Sequence, residues 1–183
     1  KVLVVSDVHA NIAALNTILE KEADYDILCC AGDYTDYGIY PAKVIERFRN
    51  LKNTHLVYGN HDLHVINTYE SKEWKNVEDG KYKWVHYNCE QLNDQDIRWL
   101  KQLPETAYFE ADGWKYGIAH QYDSGYGTIE SRYAFDKYWA EHYGTDNTGN
   151  RRLIFGHTHR QCIHILGDGM EWLNPGSASY RRP

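Results

Sequence analysis

The sequence lacks any apolar run approaching the ~20 residues that a membrane-spanning helix needs, so we expect no membrane association. It also lacks an excess of basic residues, because 20 Lys and Arg stand against 26 Asp and Glu for a formal net charge of −6. Nonspecific binding to nucleic-acid backbones needs clustered Lys and Arg, and we expect no sequence-specific nucleic-acid partner either. Two bound divalent ions would still make one site locally positive while the rest stayed acidic.

Cysteine is scarce, and no two cysteines have the spacing of a metal-binding or redox motif. None of Cys29, Cys30, Cys89 and Cys162 forms a C-x-x-C pair, so we expect buried, reduced thiols. This favours a cytoplasmic location. No signal peptide is visible, since Lys1 leads straight into the strand-like run Val2–Val5. The chain does not begin with Met, which leaves open whether residues precede Lys1.

The overall composition is that of one globular domain. Apolar residues make up 42% and charged residues 25% of 183 residues, which is enough to build a sizeable core. We find no internal repeat, no low-complexity segment and no linker, so we predict a single domain over residues 1–183. The oligomeric state is left open.

The first third of the chain alternates strands and helices. Residues 2–6, 27–31 and 54–58 are short β-branched runs, and helices are predicted after Asn11 and from Pro41. This β-α-β-α-β order implies parallel strands joined by right-handed crossovers. Each strand delivers polar residues to its C-terminal end, the edge at which open α/β sheets build their sites.

The rest of the chain gives a less regular pattern of predicted helices and strands. Residues 63–92 are predicted to be helical in part, and Asn93 to cap a short helix that stops at Pro104. A hairpin is predicted around Asp112 and Gly113, a helix over residues 129–142, and a strand over residues 152–155. Two further strands, 162–166 and 170–173, flank a Gly/Asp turn.

Five polar clusters follow apolar strand-like runs, in the order Asp7-x-His9, Gly32-Asp33-x-x-Asp36, Gly59-Asn60-His61-Asp62, His120 and Gly156-His157-x-His159. Each cluster alone would read as solvated loop residues. Their shared placement at strand ends instead indicates convergence on one sheet edge. Imidazole nitrogens with carboxylate and amide oxygens suit Mn, Fe, Zn, Ni or Co. The set lacks cysteine, which disfavours a structural zinc site, and it is large enough for two ions.

In this order the clusters resemble the calcineurin-like metallophosphoesterase superfamily, whose pattern is D-x-H, G-D-x-x-D, G-N-H-D/E, H and G-H-x-H. The resemblance implies an α/β fold, a four-layer α/β/β/α sandwich of two mixed sheets with two divalent metals at the strand ends. Manganese is our first expectation for the metal. The implied metal ligands are Asp7, His9 and His159 for one ion, Asn60, His120 and His157 for the other, and Asp33 bridging both. His61 would lie beside the metals as the catalytic acid, paired with Asp36.

Other segments resemble the small bacterial and archaeal phosphodiesterases of this superfamily. Ser6–Asn11 is similar to their S-D-x-H-G-N opening, with Ala10 in place of Gly, and Asn174–Ser177 is similar to their closing N-P-G-S. Residues 92–104 resemble a helix of a diadenosine-tetraphosphatase-like subgroup. Tyr37 stands where protein phosphatases carry a phosphate-gripping Arg, which weighs against phosphoprotein substrates. Asp36 stands where purple acid phosphatases carry a Tyr ligand, which weighs against an iron–tyrosinate site.

The implied reaction is hydrolysis of a phosphodiester, a nucleotide-type substrate or a small phosphomonoester by direct attack of a hydroxide bridging the two metals. His61 would protonate the leaving group and Asp36 would orient it, although His61 could instead only bind phosphate and Asp36 could only cap a turn. The alternative function is a catalytically weak interaction scaffold, as in one retromer subunit with this fold. Substrate-binding residues stay unknown at this stage, with the aromatic segments 69–87 and 122–143 as candidate pocket walls.

Overall fold

The structure, a computed structural model, describes residues 1–179. The last four residues of the predicted domain lie outside the described part. Within it, no helix has the length and apolar character to cross a membrane. Cys29, Cys30 and Cys89 are buried free thiols, as expected, whereas the free thiol Cys162 is only half-buried.

The first half of the chain forms a parallel sheet with helices on its outer face. The strands lie in the order β1-β2-β3, and both neighbouring pairs are parallel. Their connections are helical, which confirms the predicted β-α-β-α-β order. The elements are β1 Val2–Val5, α1 Ile12–Lys21, β2 Ile27–Cys30, α2 Pro41–Arg49 and β3 Thr54–Leu56.

Three further helices and a short 3₁₀ helix at Glu73–Asn76 follow, and the helices are α3 Asn60–Ser71, α4 Trp84–Gln91 and α5 Asp94–Gln102. Asn93 caps α5 as predicted, because its side chain accepts hydrogen bonds from the backbone N–H groups of Gln95 and Asp96. Apolar side chains of α1 to α5 form one cluster with those of the first sheet, including Leu15, Phe48 and Leu100.

The second sheet has five strands in the order β4-β5-β6-β8-β7. β5, β6 and β8 run parallel, and each outer strand pairs antiparallel with its neighbour through a hairpin. The elements are β4 Thr106–Ala111, β5 Trp114–Ala119, α6 Arg132–His142, β6 Asn150–Ile154, β7 Cys162–Gly167 and β8 Met170–Asn174. α6 covers the outer face through Phe135 and Trp139.

The helix predicted over residues 129–142 begins later than expected, at Arg132. Two hydrogen bonds explain the difference. The Ser131 side chain caps the helix by accepting from the Ala134 N–H, and the Ile129 carbonyl accepts from the Trp172 indole instead of a helical partner.

A third apolar cluster lies between the two sheets and joins them face to face, with Cys29, Val57, Phe109, Ile118 and Ile154 among its buried members. The layers are therefore α/β/β/α, as the family resemblance implied. Only the second sheet is mixed, however; the first is parallel throughout its three described strands, because each of its connections is a helical crossover.

Candidate metal centre

The loops that follow the strands of both sheets meet at one edge of the sandwich. Within the first sheet, the Asp7 N–H donates to the Gly32 carbonyl at 3.1 Å. Between the sheets, the His157 N–H donates to the Asp7 carboxylate at 3.2 Å. Within the second sheet, the Gly156 N–H donates to the His120 carbonyl at 2.9 Å. Hydrogen bonds thus tie together loops that are up to 150 residues apart in sequence.

All seven side chains assigned as metal ligands by resemblance lie together at this edge. Asp7, His9 and His159 form one group whose candidate ligand atoms lie within 4.8 Å of one another, and Asp7, Asp33 and His120 form a second group by the same measure. Asn60 joins them, because its side-chain oxygen lies 2.9 Å from His120 Nε2 and 2.9 Å from His157 Nδ1. Asp33 is fully buried between the two groups.

The histidine tautomers leave lone pairs facing the centre. His9 Nδ1 lies 3.0 Å from the Thr35 carbonyl and His120 Nδ1 lies 2.6 Å from the Ala31 carbonyl, so in each ring Nδ1 is the donor. The Nε2 atom of a neutral ring is then an acceptor. His9 Nε2 faces His159 Nε2 at 3.2 Å, and His120 Nε2 faces Asp33 Oδ2 at 3.3 Å.

The imidazole nitrogens, the carboxylate oxygens and the Asn60 amide oxygen gathered here are a donor set that fits divalent ions. Asp33 Oδ2 and His159 Nδ1 are buried without a hydrogen-bond partner among the described residues. Burial opposes a charge on His120, but the Asp33 carboxylate outweighs it and raises the pKa of His120 to about 9. A divalent ion at this place would supply that positive charge instead and leave His120 neutral, with its Nε2 lone pair free to bind the ion.

His61 and Asp36 lie beside this centre and contact each other. His61 Nδ1 lies 2.8 Å from Asp36 Oδ2, and the His61 backbone N–H donates to Asp33 Oδ1 at 2.9 Å. Burial disfavours the charged imidazole, yet the hydrogen bond to Asp36 raises the pKa of His61 overall. With Nδ1 bound to Asp36, Nε2 is the nitrogen available to a substrate.

The loops hold strained backbone. Non-glycine residues with positive φ include Asp7, His9, Asp33, His157 and His159, all among the assigned ligands. Such conformations cost about 1–3 kcal/mol each and persist where the surroundings fix them. Gly156 allows its loop to pass close to Ser6, because a Cβ at this position would lie 2.0 Å from Ser6 Oγ.

The whole chain, residues 1–183, matches the family model described as the calcineurin-like phosphoesterase superfamily domain. The chain belongs to this superfamily. Membership accounts for the fold and for the candidate metal-ligand groups at this edge, since the family is metal-dependent.

Relatives of known structure share the fold at low sequence identity. A metallophosphoesterase from Sphaerobacter thermophilus aligns with a TM-score of 0.67 and 21% identity, over 97% of this chain and 76% of that one. A structure described as a candidate diadenosine tetraphosphatase aligns with a TM-score of 0.64 and 17% identity, over 96% and 82% of the two chains.

An uncharacterised protein of Methanocaldococcus jannaschii is 30% identical over 123 residues, which are 65% of this chain and 48% of that protein. The chain thus aligns with about half the length of the curated relative that it matches.

Two positioning residues of this phosphoesterase site were not singled out from the sequence. Asp62 accepts five hydrogen bonds from donors in the Gly32 and Gly59 loops, namely the backbone N–H groups of Asp33, Tyr34, Thr35 and Gly59 and the Thr35 hydroxyl. Asn88, buried in α4, accepts from the Asp36 N–H and donates to the Gly38 carbonyl. Asp62 stood inside a recognised cluster, whereas no local pattern marks Asn88.

Proposed function

We propose that the chain is a dinuclear metal-dependent phosphoesterase that hydrolyses a phosphodiester or nucleotide-type phosphoanhydride better than a phosphoprotein. The observation that carries the proposal is the convergence of the seven assigned ligands around the buried Asp33. Asp7, His9 and His159 would hold one ion, Asn60, His120 and His157 the other, and Asp33 would bridge them. Manganese is our first choice for the metal.

When bound, a metal pair supplies a water nucleophile at neutral pH and neutralises charge on the phosphate oxygens. The chain's own residues supply the proton for the leaving group and hold the proton donor in place. His61 donates a proton from Nε2 to the leaving oxygen, since an alkoxide leaves poorly without one. Asp36 holds His61 in the required orientation and favours its charged form, through the 2.8 Å contact at Nδ1.

Tyr37 supports the choice of substrate class. It lies beside the candidate proton donor, with its ring centroid 4.7 Å from that of His61. A phenol at this position carries no positive charge for the dianionic phosphate of a phosphoprotein. A phosphodiester carries less charge and depends less on such a contact. The net charge of −6 adds little long-range attraction for highly anionic polymers.

The complete ligand set favours catalysis over the alternative of an interaction scaffold, because a scaffold has no need of His61 or of open ligand positions. The test is a panel of substrates with Mn-loaded protein. We expect kcat/KM for bis-nitrophenyl phosphate or diadenosine tetraphosphate to exceed that for a phosphopeptide. A phosphopeptide that is cleaved faster than both would refute the substrate class, and metal-loaded protein without turnover on any of them would favour the scaffold.

A further inference from the structure

A cavity of about 320 Å³ opens directly beside the candidate metal centre. Asn60 and His120 of the candidate metal centre line it together with Glu105 and Tyr138. Neither His61 nor Asp36 is among its lining residues. A group that fills this cavity would thus be lined by Asn60 and His120 but not by the candidate proton donor.

The cavity has few groups that could bind a phosphate, although it opens beside the centre at which the substrate phosphate would react. None of the described lining residues is Lys or Arg, and the two carboxylates are Glu105 and Asp123. Asp123 is committed to its own loop, because its Oδ1 accepts from the N–H groups of Gly125 and Gly127 at 2.8 and 3.2 Å. Glu105 is exposed, so its carboxylate is accessible to a ligand that enters the cavity.

Aromatic side chains surround Glu105. Tyr58, Tyr122 and Tyr138 line the cavity, and Tyr138 is almost fully buried. Burial raises the pKa of both Tyr58 and Tyr138, and the Glu105 carboxylate raises both further, for Tyr58 also by accepting a hydrogen bond from its hydroxyl. Aromatic faces next to a carboxylate suit an organic group that carries donors or positive charge.

We propose that this cavity holds the ester substituent that the phosphate keeps, and that Glu105 selects substituents ending in an ammonium or other hydrogen-bond donor. The proposal rests on the proposed function and narrows its substrate class. A second phosphate in the cavity would lie near Glu105 with only the imidazoles of His120 and His142 to meet it and no Lys or Arg, which costs affinity. A diester with a donor-bearing alcohol fits better than a polyphosphate chain.

The test uses three 4-nitrophenyl phosphodiesters whose retained substituents are propyl, 3-aminopropyl and 2-carboxyethyl. Nitrophenolate leaves in each case, so the comparison does not depend on His61. For Mn-loaded wild type we expect kcat/KM to rise about 2–5-fold from propyl to aminopropyl and to fall about 2–5-fold from propyl to carboxyethyl, the effect of a partly exposed charge pair.

Glu105→Gln keeps the size of the side chain and removes its charge. We expect this variant to lose both preferences, with kcat/KM values for the three esters within about 2-fold of one another. Glu110→Gln, on β4 but outside the cavity, is the matched control and should keep them. Equal kcat/KM values for the three esters in wild type, or preferences that persist in Glu105→Gln, would overturn the proposal alone. Hydrolysis of diadenosine tetraphosphate but of none of the three esters would likewise overturn this proposal alone, whereas failure on all four would overturn the proposed function and this proposal with it.

Discussion

At the scale of single residues, His61 lies beside the assigned metal ligands without being one of them. Its proposed role as proton donor can therefore be tested apart from metal binding. Its ring contacts Asp36 through Nδ1 and packs edge-on against His9, with ring centroids 5.1 Å apart. Its backbone N–H, not its ring, donates to Asp33. Truncating the ring therefore removes a candidate acid without removing an assigned metal ligand.

We expect His61→Ala to keep both metal ions and to lower kcat by about 10²–10⁴-fold, the usual contribution of a general acid. The substrate must have a poor leaving group, because nitrophenolate scarcely needs a proton. His64→Ala is the matched control, since His64 lies on the same helix with Nδ1 3.7 Å from Asp36 and is half exposed. It should retain near-normal kcat. Full activity of His61→Ala on an alkyl ester would show that His61 is not the acid.

Residues differ in how far the sequence could predict them. His9 and His159 are 150 positions apart, and their motifs at strand ends predicted that they converge, while the family resemblance implied that they share one metal ion. In the structure their Nε2 atoms lie 3.2 Å apart. Glu105 could not be found in this way, because it stands after Pro104 in no recognisable motif. Its place beside Tyr58 and Tyr138 depends on how β3, β4 and α6 pack, which is a tertiary property. Of the predicted aromatic walls, segment 122–143 lines the cavity and segment 69–87 does not.

At the scale of elements, the start of α3 is the junction of the site. Asn60 and His61 open the helix, and Asp62 in its first turn binds donors from two loops. The Asp62 side chain is fully buried, so every donor that loses it would be left unsatisfied. The Gly32 loop, which carries Asp33, is therefore held in its strained conformation by α3.

We expect Asp62→Asn to lower the free energy of unfolding by about 2–4 kcal/mol, because an amide NH₂ would face N–H donors that now meet a carboxylate oxygen. For a chain of this size the melting temperature would fall by about 5–15 °C. Asp94→Asn is a suitable control, since Asp94 is an exposed first-turn residue of α5 that accepts from the Tyr69 hydroxyl. Its loss should cost less than about 1 kcal/mol. Equal thermal shifts for the two variants would contradict the role given to Asp62.

At the scale of the whole molecule, the packing of one sheet against the other brings the loops of both sheets together. The apolar cluster between the sheets fixes their relative position, and the site lies across that junction, with Asp7 and Asp33 from the first sheet and His120, His157 and His159 from the second. The closing Asn174–Ser177 segment also joins the second sheet to the loop that carries Asp7, because the Ser177 hydroxyl donates to the Asp7 carbonyl at 2.8 Å.

Much of this architecture could be predicted because its strands are short apolar runs, each ended by a polar motif. The wholly parallel first sheet follows from its helical crossovers, while the late start of α6 depends on Trp172, 43 residues away from its partner Ile129. Distant side-chain contacts of this kind leave no periodic trace in the sequence.

The most direct test of the central claim is a crystal structure of Mn-loaded protein with anomalous scattering. We expect two ions, one on either side of the Asp33 carboxylate and about 3.5–4 Å apart, with Asp7, His9 and His159 at one and Asn60, His120 and His157 at the other. Asp33→Asn, crystallised in the same way, should lose metal density at this position. Wild-type crystals without two anomalous peaks at Asp33, or with metal bound elsewhere, would contradict the account.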